Sequence, residues 1–369
     1  TGNAISPFYM LEVAGGITSA GQDILRAVKA FVTGLNYHIK YGDTDSLYLV
    51  PPNSRYIECD HAYANKKADK LQWFTAMVRI TMRDAGQLSK LINDELFRIT
   101  GNRYIEMSYE EVLYPGVLTG KKKYYGVPHI NEVNFDVKKL FIKGIDTIKV
   151  GVPEMAKNIG DKIMFESTRI YNTRTISEII EDNLRALMLD TTLEIRHFIK
   201  SASYRPNKKQ ASVIKFMARM DIRHVNEKKE RAKLLALGQP PNKYVFMRPD
   251  AGERFYYVIC KQDEKYDLKG LTIKYTVGDR MEYASVASNN KLIIDKEYYV
   301  TKQVVGLCAR FINGEPQFAP PVIMEPKEMD KYVQRAAKKY LEQFIKKITK
   351  EHEETTAGQE RSKFKRARL

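Results

Sequence analysis

The chain has 369 residues, roughly enough for two or three domains, and its 43% hydrophobic and 29% charged residues are typical of a globular protein. It lacks the ~18 to 20 consecutive apolar residues of a membrane span, and no signal-peptide pattern opens it. Its three scattered cysteines argue against a disulfide framework or a zinc cluster. These features predict an intracellular protein of a reduced compartment, with no membrane partner.

The charge of the chain points to a class of partner. Lysine and arginine number 61 against 45 aspartate and glutamate residues, which leaves a formal net charge of +16. This excess and a pI near 9.4 favour a polyanionic partner, with nucleic acid as the first candidate. Many basic proteins bind no nucleic acid. The charge alone therefore does not decide between a protein that binds nucleic acid and a basic protein that does not.

The first half of the chain is predicted to form helices around a short hairpin. Apolar residues at helical spacing predict a helix over Ile17–Val32 and a longer one over Trp73–Phe97. Between them, β-prone residues on both sides of residues 42–45 predict two strands joined by a tight turn. Alternation over Tyr104–Glu110, continued to Tyr114, predicts a further strand pair. This order predicts an antiparallel sheet backed by helices.

The predicted turn carries Asp43 and Asp45 within the run Tyr-Gly-Asp-Thr-Asp-Ser of residues 41–46. Carboxylates on a rigid turn can supply part of the oxygen shell that a hard divalent cation such as Mg²⁺ requires. The alternative is a solvated turn rich in aspartate, which is the commoner meaning of two aspartates at this spacing.

A basic and aromatic segment follows in the same half of the chain. Lys121, Lys122 and Lys123 precede Tyr124 at the start of a predicted strand. Cations there could lie against phosphates, and a phenol could hydrogen-bond or pack on a sugar. Taken alone, a run of lysines is more often a solvated surface.

The second half of the chain is predicted to be mostly helical, with a return to strand late in the sequence. A basic stretch from Tyr204 to Gln210 precedes one of its helices, and the charged residues Asn226–Lys233 with the following loop are predicted to be a surface insertion. The predicted helices are Val152–Glu166, Ile176–Leu187, Leu193–Ser201, one through Phe216 and Met220, one after Asp295 and a last one from Pro326, and the predicted strand is Phe255–Cys260.

Several segments together resemble the family B DNA-dependent DNA polymerases. Residues 41–46 resemble motif C of that family, and residues 121–124 resemble its lysine-lysine-x-tyrosine motif. Residues 143–146, Lys-Gly-Ile-Asp, resemble the signature at the passage from palm to thumb, and residues 254–303 resemble the thumb. These blocks occur in the family's order. The missing cysteine-rich tail and Lys123 within the basic motif make the chain more similar to polymerases of large DNA viruses than to cellular ones.

The resemblance implies an α+β fold, with an antiparallel palm sheet backed by helices and a mostly helical thumb containing a small strand insertion. It places the C-terminal half of the palm at 1–142, the thumb at 143–355 and a basic, flexible tail at 356–369. Thr1 would follow the fingers motif directly, so the exonuclease, the fingers and the other palm aspartate would lie upstream. This chain is therefore expected to be inactive alone. Its expected location is the nucleus or a cytoplasmic replication site of a virus.

The resemblance also implies the residues of the site and its partners. Two Mg²⁺ ions, for which Mn²⁺ can substitute, would be held by Asp45 as direct ligand, with Asp43 and Glu110 as weaker candidates. The partners would be primer-template DNA, dNTP, the upstream portion and a processivity factor. The alternatives are a non-catalytic duplex DNA-binding module, a subunit of a split polymerase, or a basic structural protein. The DNA contacts implied are Lys121, Lys122, Lys123 and Tyr124, with Tyr204, Arg205, Lys208 and Lys209 added from the second half.

Overall fold

The computed structural model describes residues 2–4, 6–206, 210–240, 248–262 and 274–366, with the backbone alone at residue 353 and at residues 355–366. The predicted α+β class is confirmed, because small antiparallel sheets combine with a helical C-terminal region. The chain divides into two compact units, Thr1–Lys143 with Thr168–Thr173, and Gly144–Ser167 with Arg174–Leu369. Within the described ranges, no helix combines the length and the apolar character needed to cross a membrane.

Among its described residues, the first unit contains three α-helices, one 3₁₀ turn and two small antiparallel sheets. Strands β1 and β2 form a hairpin, and β3, β4 and β5 form a three-stranded sheet in that order. The predicted hairpin and both predicted helices are confirmed, and each helix is longer than expected. The elements are α1 (Leu11–Gly34), β1 (His38–Gly42), β2 (Leu47–Val50), α2 (Ile57–Ala64), α3 (Lys70–Thr100), β3 (Val112–Gly120), β4 (Lys123–His129) and β5 (Phe141–Lys143).

Local sequence signals delimit α3, the longest helix of this unit. Asp69 and Gln72 form a capping box, in which each side chain accepts the other residue's backbone N–H at 2.8 and 2.9 Å. The helix ends at Thr100 and is capped by Gly101, whose φ of 66° lies in the left-handed region that favours glycine. The capping box at Asp69 and the glycine at position 101 therefore mark both ends of α3 in the sequence.

The apolar face of α3 carries the hairpin. Leu88, Ile92 and Leu96 are buried at four-residue spacing and form a core with buried residues of α1 such as Val28 and Val32. Fully burying one such side chain contributes about 2 kcal/mol. The inner side of the hairpin packs on this core, so the apolar residues of the strands hold the turn above it. These residues are Ile39, Leu47 and Leu49.

The prediction of a strand over Tyr104–Glu110 is wrong, because none of these residues belongs to a sheet. The backbone of Met107 bonds instead to side chains of α3. Its N–H donates to Asn93 Oδ1 at 2.7 Å, and its carbonyl accepts from Ser89 Oγ at 2.7 Å. Exposure still alternates along the segment, so the sequence pattern correctly indicated which side chains are more buried but not the hydrogen-bond partners of the backbone.

The second unit contains most of the helices and a three-stranded antiparallel sheet in the order β6-β7-β8. A π-helical turn over Val300–Val304 joins the helix Lys296–Tyr299 to the helix Val305–Ile312. The elements are α4 (Glu154–Ser167), α5 (Ile176–Leu189), β6 (Lys200–Ser203), α6 (Ala211–Ala236), β7 (Arg254–Ile259), α7 (Val277–Arg280), β8 (Met281–Tyr283), α8 (Ala284–Asn289), α9 (Lys296–Tyr299), α10 (Val305–Ile312) and α11 (Pro326–Arg366).

One expectation for the second unit is wrong. The helix expected over Leu193–Ser201 is a 3₁₀ turn over Ile195–Phe198 followed by β6, because Lys200 and the next three residues pair with β7. Residues 226–233 continue α6 with mostly exposed side chains, and their assignment as a surface insertion stays a prediction. The tail at 356–369 stays a prediction: α11 continues to Arg366, and residues 367–369 lie outside the described residues.

We expect Gly126→Ala to destabilise the chain by about 2 kcal/mol or more, because overpacking has a cost of this order. A Cβ atom at Gly126 would lie 2.6 Å from the Pro115 carbonyl oxygen and 2.9 Å from Gly116 Cα, both backbone atoms of β3. Urea unfolding followed by circular dichroism measures the change. Gly86→Ala is the control: no atom lies within 4 Å of the added Cβ, and alanine favours the helix by about 0.5–1 kcal/mol. Equal stability of the two variants would contradict the assigned packing.

Candidate functional site

The turn between β1 and β2 presents Asp43 and Asp45 at the tip of the hairpin. The Asp43 N–H donates to the Ser46 carbonyl at 2.9 Å, and the Asp43 carboxylate accepts the Thr44 N–H at 2.8 Å. The Asp43 side chain is 25% exposed. Its orientation is therefore set within the turn itself.

Lys122 approaches the same tip from the turn between β3 and β4. Its Nζ lies 3.0 Å from Asp43 Oδ1, and its backbone N–H donates to Tyr41 Oη at 2.8 Å. The φ of Lys122 is 59°, a left-handed conformation uncommon for a residue with a Cβ. The Lys122 ammonium, together with the Thr44 N–H, holds the pKa of Asp43 below its usual range, and Asp43 raises the pKa of Lys122.

Asp45 differs from Asp43 in its surroundings. Its side chain is exposed, and it makes no hydrogen bond or ion pair with any of the described residues. An exposed carboxylate without a partner keeps its oxygen atoms available for a cation or for water. The structure therefore separates the two aspartates of the turn into one that is paired with lysine and one that is not.

Three tyrosine rings pack beneath the tip. The ring centroid of Tyr124 lies 5.6 Å from that of Tyr41 and 5.1 Å from that of Tyr48. Tyr48 donates its hydroxyl to Glu111 Oε1 at 2.9 Å, and burial, above all, raises the pKa of Tyr48. Tyr124 is only 6% exposed and also stacks on Phe141, so the structure gives this ring a packing role. Its predicted contact with DNA stays a prediction.

The acid that contacts this cluster is Glu111, which the sequence analysis did not single out. Glu110, the residue predicted to approach a metal, is exposed and has no hydrogen bond to the described residues. Exposure alternates from residue 105 to residue 111, with Glu111 on the half-buried side and Glu110 on the exposed side. The alternating pattern from residue 105 onward was the signal that favoured Glu111.

The remaining predicted DNA contacts lie in different surroundings. Lys121 is exposed in the β3–β4 turn, and Lys123 begins β4, where it pairs with Gly120. In the second unit, Tyr204 is buried and accepts a hydrogen bond from Arg248, whereas Arg205 is exposed. Lys208 and Lys209 lie outside the described residues.

The hairpin tip fits part of a magnesium shell. Mg²⁺ is usually bound by one or two carboxylates and keeps several waters or phosphate oxygens, so Asp45, with Asp43 beside it, is a suitable partial donor set. Among the residues that the structure describes, no group of three or more His, Cys, Asp or Glu side chains is arranged to hold a metal ion. The tip therefore offers one free carboxylate and one that an ammonium already neutralises.

Comparison with known protein families shows to which family the chain belongs. A model described as DNA polymerase family B matches residues 72–314. The chain belongs to this family. The predicted resemblance is thus confirmed, and the match includes the basic motif at 121–124 and the signature at 143–146. The matched range begins after the hairpin, so the roles of Asp43 and Asp45 are not part of this result.

Curated relatives cover nearly all of the chain. A protein named DNA polymerase beta, from African swine fever virus (isolate Warthog/Namibia/Wart80/1980), is 41% identical over 356 residues, which are 94% of this chain and 29% of the viral protein. A DNA polymerase of Pyramimonas orientalis virus is 21% identical over 331 residues, covering 88% of this chain and 24% of that protein. The chain thus spans less than a third of the length of these curated relatives.

Among solved structures, the chain is similar to the family B DNA polymerase from the hyperthermophilic archaeon Pyrobaculum calidifontis. The TM-score is 0.44 at 17% identity, and the similarity covers 88% of this chain and 32% of the archaeal one.

We expect Lys122→Met to raise the pKa of Asp43 towards the ordinary aspartate value of about 3.9, because the substitution removes the ammonium that stabilises the carboxylate. A ¹³C NMR titration of the carboxyl carbon measures this change. The lowered pKa implies that the pair stabilises the fold above the unfolded pKa and that this contribution disappears as the pH falls through the folded pKa.

Lys121→Met is the matched control, because Lys121 is an exposed neighbour without an ion pair to the described residues. An Asp43 pKa that is the same in the Lys122→Met variant and in the parent chain would contradict the ion pair.

Proposed function

We propose that the chain supplies the duplex-binding portion of a DNA polymerase together with carboxylates of its nucleotidyl-transfer site. The reaction would join the α-phosphorus of a dNTP to the 3′-oxygen of a primer and release pyrophosphate. The observation that carries the proposal is the hairpin tip, where Asp45 is exposed and makes no hydrogen bond or ion pair with the described residues, while Asp43 on the same turn is paired with Lys122. Membership of the DNA polymerase family B supports it.

Asp45 is proposed as the direct ligand of a divalent cation, Mg²⁺ or Mn²⁺. Two such ions in the complete site would activate the primer 3′-hydroxyl and stabilise the leaving pyrophosphate. Asp43 is a weaker candidate ligand, because its Oδ1 already contacts the Lys122 ammonium and the Thr44 N–H. Glu110 is weaker still, since Glu111 is the acid that faces the hairpin cluster.

Lys122 and Lys121 are proposed to contact the phosphates of the primer strand. An ammonium is a compact charge that phosphate attracts irrespective of base sequence, as a template-copying enzyme requires. Lys122 would bind phosphate in competition with Asp43, whereas the exposed Lys121 has no such competitor among the described residues. The net charge of +16 supports a partner with many phosphates.

Residues 1–142 are proposed to be the palm portion and residues 143–355 the thumb, which grips the duplex with residues such as Arg205. A two-metal site takes carboxylates from more than one strand, and the hairpin supplies only its own. We therefore propose that the chain alone binds primer-template DNA without extending it. Further carboxylates and a processivity factor would come from outside the chain. The proposed location is the nucleus or a cytoplasmic replication site.

We expect Asp45→Ala to abolish primer extension by the complete polymerase, meaning this chain with the remaining portion that its relatives possess. Primer-template affinity should stay within a few-fold, because the change removes a metal ligand and no phosphate contact. Primer extension with Mg²⁺ and fluorescence anisotropy measure the two quantities. Asp94→Ala, an exposed aspartate of α3, is the control and should extend normally. Near-normal extension by the Asp45 variant would reject the proposed role.

We expect Lys122→Ala to weaken primer-template binding and to reduce the slope of log K against log salt concentration by about one unit. The physical reason is the loss of one phosphate contact and of the counterion release that accompanies it. Anisotropy titrations of this chain at several salt concentrations measure the slope. Lys90→Ala, an exposed lysine of α3, serves as the control. A slope equal to that of the parent chain would exclude the phosphate contact.

A further inference from the structure

The apolar stripe of α3 contains one carboxylate. Asp84 precedes Leu88, Ile92 and Leu96 at the same four-residue spacing, and it is only 6% exposed. An apolar side chain at that position would continue the core. A buried carboxylate has a large desolvation cost and requires partners that compensate for it.

The partners of Asp84 come from both ends of the β1–β2 hairpin. Tyr37, which directly precedes β1, donates its hydroxyl to Asp84 Oδ2. Arg55, which follows β2, places its Nε 3.4 Å from Asp84 Oδ1. The Asp84 side chain therefore accepts a hydrogen bond from the segment that enters the hairpin and forms an ion pair with the segment that leaves it.

A neighbouring contact ties the outgoing segment to the same helix. Tyr56 Oη lies 2.8 Å from Thr81 Oγ1, and the Thr81 hydroxyl donates to the Met77 carbonyl. The Tyr56 hydroxyl is therefore the donor to Thr81. Thr81 lies three residues before Asp84, so the two contacts are close together on α3. Tyr37 is buried as well, and burial together with the Asp84 hydrogen bond raises its pKa to about 12.

The energetics favour a geometric role for Asp84 over a purely stabilising one. Replacing a buried ionic cluster by well-packed apolar residues often leaves a fold as stable or makes it more stable. A hydrogen bond to the Tyr37 side chain and an ion pair with the Arg55 side chain do what apolar contacts cannot, because they act at two points of the chain and fix the position of the hairpin relative to the helix. Reacting groups misplaced by about 1 Å can lower a rate about a hundredfold.

We propose that Asp84 is a positioning residue that fixes the β1–β2 hairpin on α3 and thereby sets the location of Asp45. The inference rests on the proposed function, in which Asp45 binds the divalent cation. Asp84 acts through Tyr37 and Arg55 at the base of the hairpin, and it touches neither substrate nor metal.

The test uses the complete polymerase with three variants, Asp84→Asn, Tyr37→Phe and the double variant Asp84→Leu/Tyr37→Phe. The Mg²⁺ concentration for half-maximal primer extension should rise about tenfold, in the range found when groups that orient metal ligands are removed. Primer-template affinity, measured by anisotropy, should stay within twofold. Asp94→Asn makes the same chemical change at an exposed position of α3 and should leave the Mg²⁺ dependence as in the parent enzyme.

The double variant distinguishes an effect of hairpin position on the Mg²⁺ requirement from an effect on the stability of the fold. It removes both buried polar partners together and leaves Arg55 exposed enough to reach solvent, so its thermal unfolding temperature should stay close to that of the parent. A raised Mg²⁺ requirement in this folded variant would support the inference, and a parental Mg²⁺ requirement would overturn it. If Tyr37→Phe, the mildest change, also leaves the Mg²⁺ dependence unaltered, the inference fails even where the other variants do not fold.

Asp45→Ala in the same assay distinguishes the two proposals. Loss of extension with Asp45→Ala and parental behaviour of the Asp84 and Tyr37 variants would reject the positioning role alone. Retained extension with Asp45→Ala would reject the proposed function on which that role depends.

Discussion

Packing of the β1–β2 hairpin against the α1–α3 pair is the interaction on which the candidate site depends. A two-stranded hairpin is marginally stable in water by itself, so its position has to come from the surface beneath it. The Leu88–Leu96 face of α3 is part of that surface. The hairpin packs on it through Ile39, Leu47 and Leu49. The polar turn can then project two carboxylates without unfolding the strands that hold them.

The ion pair between Asp43 and Lys122 gives the tip its asymmetry. Both residues belong to turns, one in each sheet of the first unit, and each is partly held by its own backbone. Their mutual attraction neutralises one carboxylate and leaves Asp45 as the exposed acid. Asp45 makes no ion pair or hydrogen bond with the described residues, although its charge, after that of Asp43, helps to raise the pKa of Lys122.

Much of this arrangement follows from local patterns. Alternating β-prone residues around residues 42–45 predict the hairpin, and helical spacing of apolar residues predicts α1 and α3. The expectations that were wrong share a cause. Residues 104–110 and 193–201 have partners that are distant in sequence: side chains of α3 in the first case and strand β7 in the second. Local periodicity carries no information about such partners.

The amino-acid sequence by itself determined the family, the hairpin and the residue types at its tip, because these depend on short-range order along the chain. Only the tertiary structure decided which carboxylate is paired, which of Glu110 and Glu111 faces the hairpin, and why α3 carries an aspartate in its apolar stripe. Asp43 meets Lys122 across 79 positions, and Asp84 meets Tyr37 across 47. Contacts of that separation arise when elements pack, since packing brings together side chains that no spacing rule connects.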